Sequence, residues 1–211
     1  FNTIAVEADN AMDVSEFHSF DDYLNKLASK YRVRTKKILK LSEPISSHEF
    51  SLEEVIHYEN ELVALYKRVA DKVDFKLAEL NDRFFIEQKR IFPDNYHICG
   101  YFLDEKLVGF VSVYRVEEKA EVHYFGINYD ILKEYHLYQR MLYDVVKQCI
   151  GFGVKMIHFG RTAPEVKSTI GAKQFPMFGF LKHRNSIING IMQLFTANLR
   201  PREYVLRSPF K

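Results

Sequence analysis

The chain has 211 residues with a net charge of +2, 47% hydrophobic and 27% charged, a globular balance that excludes disorder and low complexity. No apolar run reaches membrane-spanning length, and so mild a charge does not by itself imply nucleic acid. Cys99 and Cys149 lie far apart with neither CxxC nor zinc-ligand spacing, and the start carries no signal-peptide pattern, which fits a reduced, cytoplasmic protein. The first residue is Phe1 rather than Met, which leaves room for an upstream segment.

In chain order, Thr3–Val6 is a candidate short strand. Ser19-Phe20-Asp21-Asp22 opens a helix, with acidic side chains at the positive end of the dipole. Phe20, Leu24, Leu27, Tyr31 and Ile38 then give that helix one apolar face, and Pro44 ends the element. Its other face carries Lys26, Lys30, Arg32, Arg34, Lys36, Lys37 and Lys40. That density attracts phosphate, although a solvated face balanced by the acidic Glu49–Glu61 stretch is the plainer explanation. Ser51-Leu52-Glu53-Glu54 starts a second helix that buries Val55, Leu62, Leu65 and Val69, and a third spans Phe75 to Phe92, before Pro93.

The period then changes. Tyr96–Leu103, Leu107–Val116 and Glu121–Ile127 read as an antiparallel meander with Asp104-Glu105-Lys106 as a hairpin turn. Leu132–Ile150 is a long helix stopped by Gly151 and Gly153, and Val154–Phe159 is a short strand. Thr162-Ala163-Pro164-Glu165 reads as a capping box that opens a brief helix, with Thr162 as its cap. Phe175–His183 is a further strand, Ile187 to Phe195 a last helix, and Tyr204–Leu206 a possible final strand. The expected class is α/β (α+β), a mixed, largely antiparallel sheet flanked by helices.

Several of these segments together resemble a family. They are His123-Tyr124-Phe125-Gly126-Ile127, Leu137-Tyr138-Gln139-Arg140, Phe159-Gly160-Arg161-Thr162-Ala163 with Lys167 and Gly171, and Arg207-Ser208-Pro209-Phe210. They resemble the GNAT-type acyltransferases, and within them the branch of Fem peptidyltransferases and "peptidoglycan biosynthesis" acetyltransferase-like proteins. The likeness runs best over 75–211, with 1–70 as an N-terminal helical part of one domain. It implies acyl transfer to an amine acceptor, with acetyl-CoA or another acyl-CoA as donor. Fem-like aminoacyl transfer from charged tRNA to a cell-wall precursor is the alternative, and a non-catalytic binding domain of the same fold is a third. One departure concerns the donor: where GNAT enzymes hold a diphosphate on a glycine-rich loop, Asn128–Tyr135 has no glycine and two acidic side chains.

The site candidates follow from strand and helix positions. His123 and Glu121 are candidate bases on a strand where Glu121, His123 and Phe125 share one face by alternation. A half-buried histidine satisfied by a neighbour and a solvent-side glutamate are the bland alternatives. Tyr138 is placed to give a proton to the leaving group. Ile127, Asn128, Gln139 and Arg140 are expected to face the donor, Arg140 near a helix N-terminus suggesting a bound anion or a salt bridge. Arg161, Lys167 and Ser168 are expected at an anionic part of the substrate. The eight histidines are dispersed and show no metal-ligand spacing.

Overall fold

A computed structural model of the chain describes residues 2–72, 79–196, 202 and 204–211. Strand β1 (Asn2–Asp13) leads to helices α1 (Phe20–Lys26) and α2 (Ser29–Leu41), strand β2 (Ser46–Glu49), and helices α3 (Leu52–His57), α4 (Glu59–Ala70) and α5 (Phe84–Ile91). The meander β3 (Tyr96–Leu103), β4 (Lys106–Val116) and β5 (Lys119–Ile127) follows. After it come α6 (Leu137–Gly151), β6 (Met156–His158), α7 (Pro164–Ser168), β7 (Lys173–Leu181) and α8 (Ser186–Thr196). The strands form one sheet in the order β2-β3-β4-β5-β6-β1-β7, antiparallel everywhere except between β5 and β6. This is the mixed, largely antiparallel architecture expected.

Two apolar layers hold the sheet. On one face Leu24, Leu27 and Ile38 of α1–α2 and Met141, Leu142, Val145 and Val146 of α6 pack on Val111, Val113, Ala120, Val122 and Ile157. On the other, Val55, Leu62, Leu65, Phe85 and Ile86 of α3–α5 pack on Tyr96, Ile98, Phe102 and Phe110. The strands therefore alternate between an α6 face and an α4 face, and both must be apolar because both are covered.

Several boundaries differ from the sequence reading. The first helix is two: Ser19 caps α1 through its hydroxyl on the Asp22 N–H, but the helix stops at Leu27. The chain's C-terminal segment interrupts it there, since Ala28 N–H donates to Pro209 O at 2.8 Å and Leu27 bridges Phe210. Ser51 and Glu54 form a reciprocal capping box at α3, and a break at Tyr58 separates α3 from α4. The third helix begins only at Phe84; the Phe75–Ala78 part of its expected span lies outside the described residues. Residues 129–136 are turns, so α6 starts at Leu137. Strand β1 runs well past Val6, β2 was not anticipated, and Tyr204–Leu206 is not a strand.

The α7 start is a correction. Its N-cap is Ala163 at φ +50°, and no side chain caps it. The Thr162 hydroxyl accepts from Lys167 Nζ instead, at 3.5 Å, and Glu165 accepts the Val205 N–H.

Candidate functional site where two strands part

Strands β5 and β6 run in parallel for only three residue pairs: Lys119 with Met156, Ala120 with Ile157 and Glu121 with His158. Beyond Glu121, β5 continues beside β4 to Ile127. The chain after β6 instead turns onto β1, where Phe159 N–H donates to Asn10 O at 2.7 Å and Asn10 Nδ2 donates to Gly160 O at 2.7 Å. The sheet splays there, and a wedge opens between neighbouring strands whose polar edges no longer meet.

The upper arm of the wedge carries a β-bulge. The register slips between the Val111–Phe125 and Val113–Val122 pairs, and Ser112 Oγ accepts the Tyr124 N–H at 3.0 Å. One extra residue turns two successive side chains to the same side. Glu121 and His123 share the α4 face as alternation expects, Tyr124 joins them against Tyr66 and Phe85, and Phe125 crosses to the α6 face against Tyr138. The expected grouping of Phe125 with Glu121 and His123 is thereby corrected.

His123 sits among aromatic rings, with Tyr124 at 4.1 Å, Tyr114 at 5.1 Å and Phe84 at 5.7 Å between centroids. Burial lowers its pKa, so the neutral, proton-accepting imidazole is favoured at neutral pH. Glu121 stands at the root of the wedge; burial raises its carboxyl, opposed by His158 and reinforced by the Asp9 charge. Ala120 and Ile157 face α6, so their neighbours Glu121 and His158 face the other way together. His158 Nδ1 meets Asp9 Oδ2 at 2.6 Å. Sequence reasoning missed both members of this pair, which are 149 positions apart. A histidine at the end of a short apolar strand was the only local signal.

The other sequence candidates separate. Tyr138 lies in the first turn of α6 beside Phe125, its hydroxyl pushed above the ordinary tyrosine range by burial and by Tyr129. Ile127 is core, and Asn128 is engaged through its own N–H with Val108 O and through Oδ1 with Arg68. Gln139 is half-buried in the same turn as Tyr138. Arg140 points away from the wedge: it binds Asp144 at 2.8 Å and the Ser42 carbonyl at 3.1 Å, tying α6 to α2. That is the salt-bridge alternative for Arg140.

Lys167 and Ser168 turn inward, each only 1% exposed. Lys167 Nζ donates to Phe159 O at 2.6 Å and to Gly160 O at 3.1 Å, and burial pulls its ammonium down to about 8. Ser168 Oγ donates to Glu165 O and accepts the Arg207 N–H. Between Asn10 and Lys167 the loop Phe159–Thr162 is clamped from both sides, while the Arg161 side chain is exposed. Arg161 lines a pocket of about 440 Å³ with Arg202, Tyr204, Gln174 and Phe178.

The glycine-free segment before α6 meets cations from elsewhere in the chain. Arg68 of α4 binds Asp130 at 3.1 Å, and Lys72 stands over the Tyr129 ring at 3.2 Å. Arg68 thus offsets one of the loop's two acidic side chains, and Lys72 stands just beyond the end of α4. The N-terminus of α6 has no side-chain cap and no acidic residue in its first turn.

No protein-family profile and no curated protein sequence matches the chain. Solved structures do. The C-terminal domain (DUF2156) of a putative lysylphosphatidylglycerol synthetase from Agrobacterium fabrum superposes with a TM-score of 0.64 at 9% identity, over 92% of this chain and 65% of that one. FemX gives 0.61 at 10% identity, over 89% and 65%. The chain has the GNAT-like fold that this synthetase domain and FemX share. L-PGS from Bacillus licheniformis gives a TM-score of 0.55 at 13% identity, over 94% of this chain and 67% of that one. The chain spans about two thirds of the length of these solved structures. Identities this low speak for the fold alone, so the reaction rests on the side chains in the wedge. Among the described residues, no cluster of ligating side chains suited to a metal ion occurs and no helix is long and apolar enough to cross a membrane.

Proposed function

We propose that the chain is an acyltransferase that moves an acyl group from an acyl-CoA-type thioester to an amine acceptor, in a reduced, cytoplasmic setting. The observation that carries this reading is the placement of Glu121 and His123 on one face at the point where β5 and β6 part. The wedge is where an extended thioester arm can lie between strands, and a base at its root meets the incoming amine. Either group takes a proton from the amine as its nitrogen bonds the acyl carbon and the C–S bond breaks. Tyr138, whose hydroxyl stays protonated, is our candidate to give a proton to the departing thiolate from the α6 side of the wedge. Arg161 offers an exposed cation to a phosphate or carboxylate of the substrate, on a loop that Lys167 holds in place.

The test is calorimetric titration with CoA and short- and long-chain acyl-CoA, followed by turnover on a panel of primary amines. Micromolar binding and product formation that falls in His123→Ala or Glu121→Gln support the reading. Full turnover in both variants refutes the assignment of the base, and binding without any turnover across the panel identifies a non-catalytic domain instead.

A second donor, aminoacyl-tRNA, is favoured by α2. Lys30, Arg34, Lys36, Lys37 and Lys40 are exposed and form no ion pair among the described residues. Within the acidic stretch, Glu49 meets His97 and Glu54 meets His48 rather than α2. Gel-shift with tRNA across a salt series decides this: absence of binding at low salt removes it.

A further inference from the structure

We propose that Asp9, His158 and Glu121 form an ammonium-recognising, proton-accepting site at the root of the wedge, with His158 Nε2 taking the proton that turns the bound ammonium into the attacking amine before Glu121 acts as the base of acyl transfer. This inference rests on the acyl-transfer reading and adds to it the substrate class and the proton's path.

The geometry is specific. A carboxylate only accepts, so the 2.6 Å contact with Asp9 Oδ2 places a hydrogen on His158 Nδ1. In the neutral imidazole the lone pair then belongs to Nε2, which has no hydrogen-bond partner among the described residues. The pair is within reach of solvent, with side chains 26% and 18% exposed. Glu121 pairs with His158 across the last rung before the strands diverge, so the three groups come from β1, β5 and β6 onto one face.

The surrounding charges select a cation. Asp9 and Glu121 flank the imidazole as carboxylates. Of the lysines whose charges act on them, Lys119 lies two residues from Glu121, and Lys167 acts on Asp9 from behind with its ammonium bonded to loop carbonyls. A primary alkylammonium is the ligand such a site recognises: one donor meets the imidazole nitrogen and another the Glu121 carboxylate, while Asp9, on the far side of the ring, acts through Nδ1–H.

The step balances. The bound ammonium gives one proton to His158 Nε2, and Asp9 stabilises the imidazolium while keeping Nδ1–H in place. The freed nitrogen lone pair bonds the acyl carbon, and the second proton lost from nitrogen goes to Glu121. The C–S bond then breaks, the thiolate takes the Tyr138 hydroxyl proton, the proton held by His158 restores Tyr138 through solvent, and Glu121 returns its proton to solvent. Asp9 is a positioning residue in this scheme, since it acts through the imidazole.

The experiment uses the whole chain with n-butylammonium as probe. A saturable shift of the His158 ring signals in NMR is expected, lost in the Asp9→Asn/Glu121→Gln double variant and absent with n-butanol. The ring nitrogens of the free protein are expected to report the Nδ1–H tautomer, relaxing to a mixture in Asp9→Asn. With acetyl-CoA and n-butylamine, His158→Gln is expected to lower kcat by at least about 100-fold, and Asp9→Glu to recover part of the loss in Asp9→Asn. Absence of a saturable butylammonium shift in the wild type overturns the proposal whatever the variants do. Full turnover in His158→Gln also overturns it while leaving acyl transfer standing. Butylammonium binding at His158 without turnover from any thioester or aminoacyl-tRNA has the opposite meaning: the ammonium site stands and the acyl-transfer reading fails.

Discussion

Lys167→Met isolates the cost of a buried charge in the loop that frames the wedge. Lys167 is 1% exposed, and its ammonium is drawn from 10.5 down to about 8, chiefly by burial, with Asp9 opposing. A folded value below the unfolded one gives stability that is fully present above 10.5 and lost as pH falls through about 8. With one unit worth about 1.4 kcal/mol, the wild type loses about 2 kcal/mol from this group between pH 9.5 and pH 7. The methionine variant has no proton to bind and leaves the Phe159 carbonyl without its 2.6 Å donor. An unpaired buried carbonyl costs about 1–3 kcal/mol. The variant is therefore expected to be destabilised at both pH values, and by about 2 kcal/mol more at pH 9.5 than at pH 7. Urea denaturation of both proteins at the two pH values measures this, and tyrosine titrations common to both cancel in the difference. Equal destabilisation at pH 7 and pH 9.5 would refute the buried ammonium.

The other predictions concern the core and acid stability. A Cβ at Gly126 would stand 2.1 Å from the Phe110 ring and 2.8 Å from Leu65 Cβ, so Gly126→Ala is expected to cost about 2 kcal/mol by overpacking. Chemical denaturation reads this, and a loss below about 0.5 kcal/mol would show that the α4 layer yields easily. Glu49 is held below its ordinary 4.5, first by the hydrogen bond from His97 and then by the charges of His97 and Lys89, against burial. Its stabilisation is present above 4.5 and is lost as pH falls through the lowered folded value. Glu49→Gln is thus expected to flatten the fall in Tm between pH 5 and pH 3, and parallel melting curves for variant and wild type across that range would exclude the effect.

The meander, the long apolar face of α6, the stop at Pro93 and the capping sequence at Ser51 were all readable locally, because each depends on neighbours within a few positions. Strand alternation placed Glu121 and His123 together, and the same rule failed two residues later. The bulge at His123–Tyr124 depends on a Ser112 hydroxyl from the adjacent strand, which no period within β5 reports. The split between α1 and α2 likewise follows from the tail: Pro209 O takes the Ala28 N–H, an acceptor more than 180 positions away in sequence. Arg68 reaches the donor loop and Asp9 reaches His158 in the same long-range manner. For Lys167, spacing identified a helical residue but not its direction, and the carbonyls of Phe159 and Gly160 draw it inward. By itself the sequence determined the class of fold and the elements whose propensity, periodicity and capping are short-range, the meander and α6 among them. Only the tertiary structure decided which polar groups meet where β5 and β6 part, because a splayed sheet joins β1, β5 and β6 through contacts that sequence distance hides.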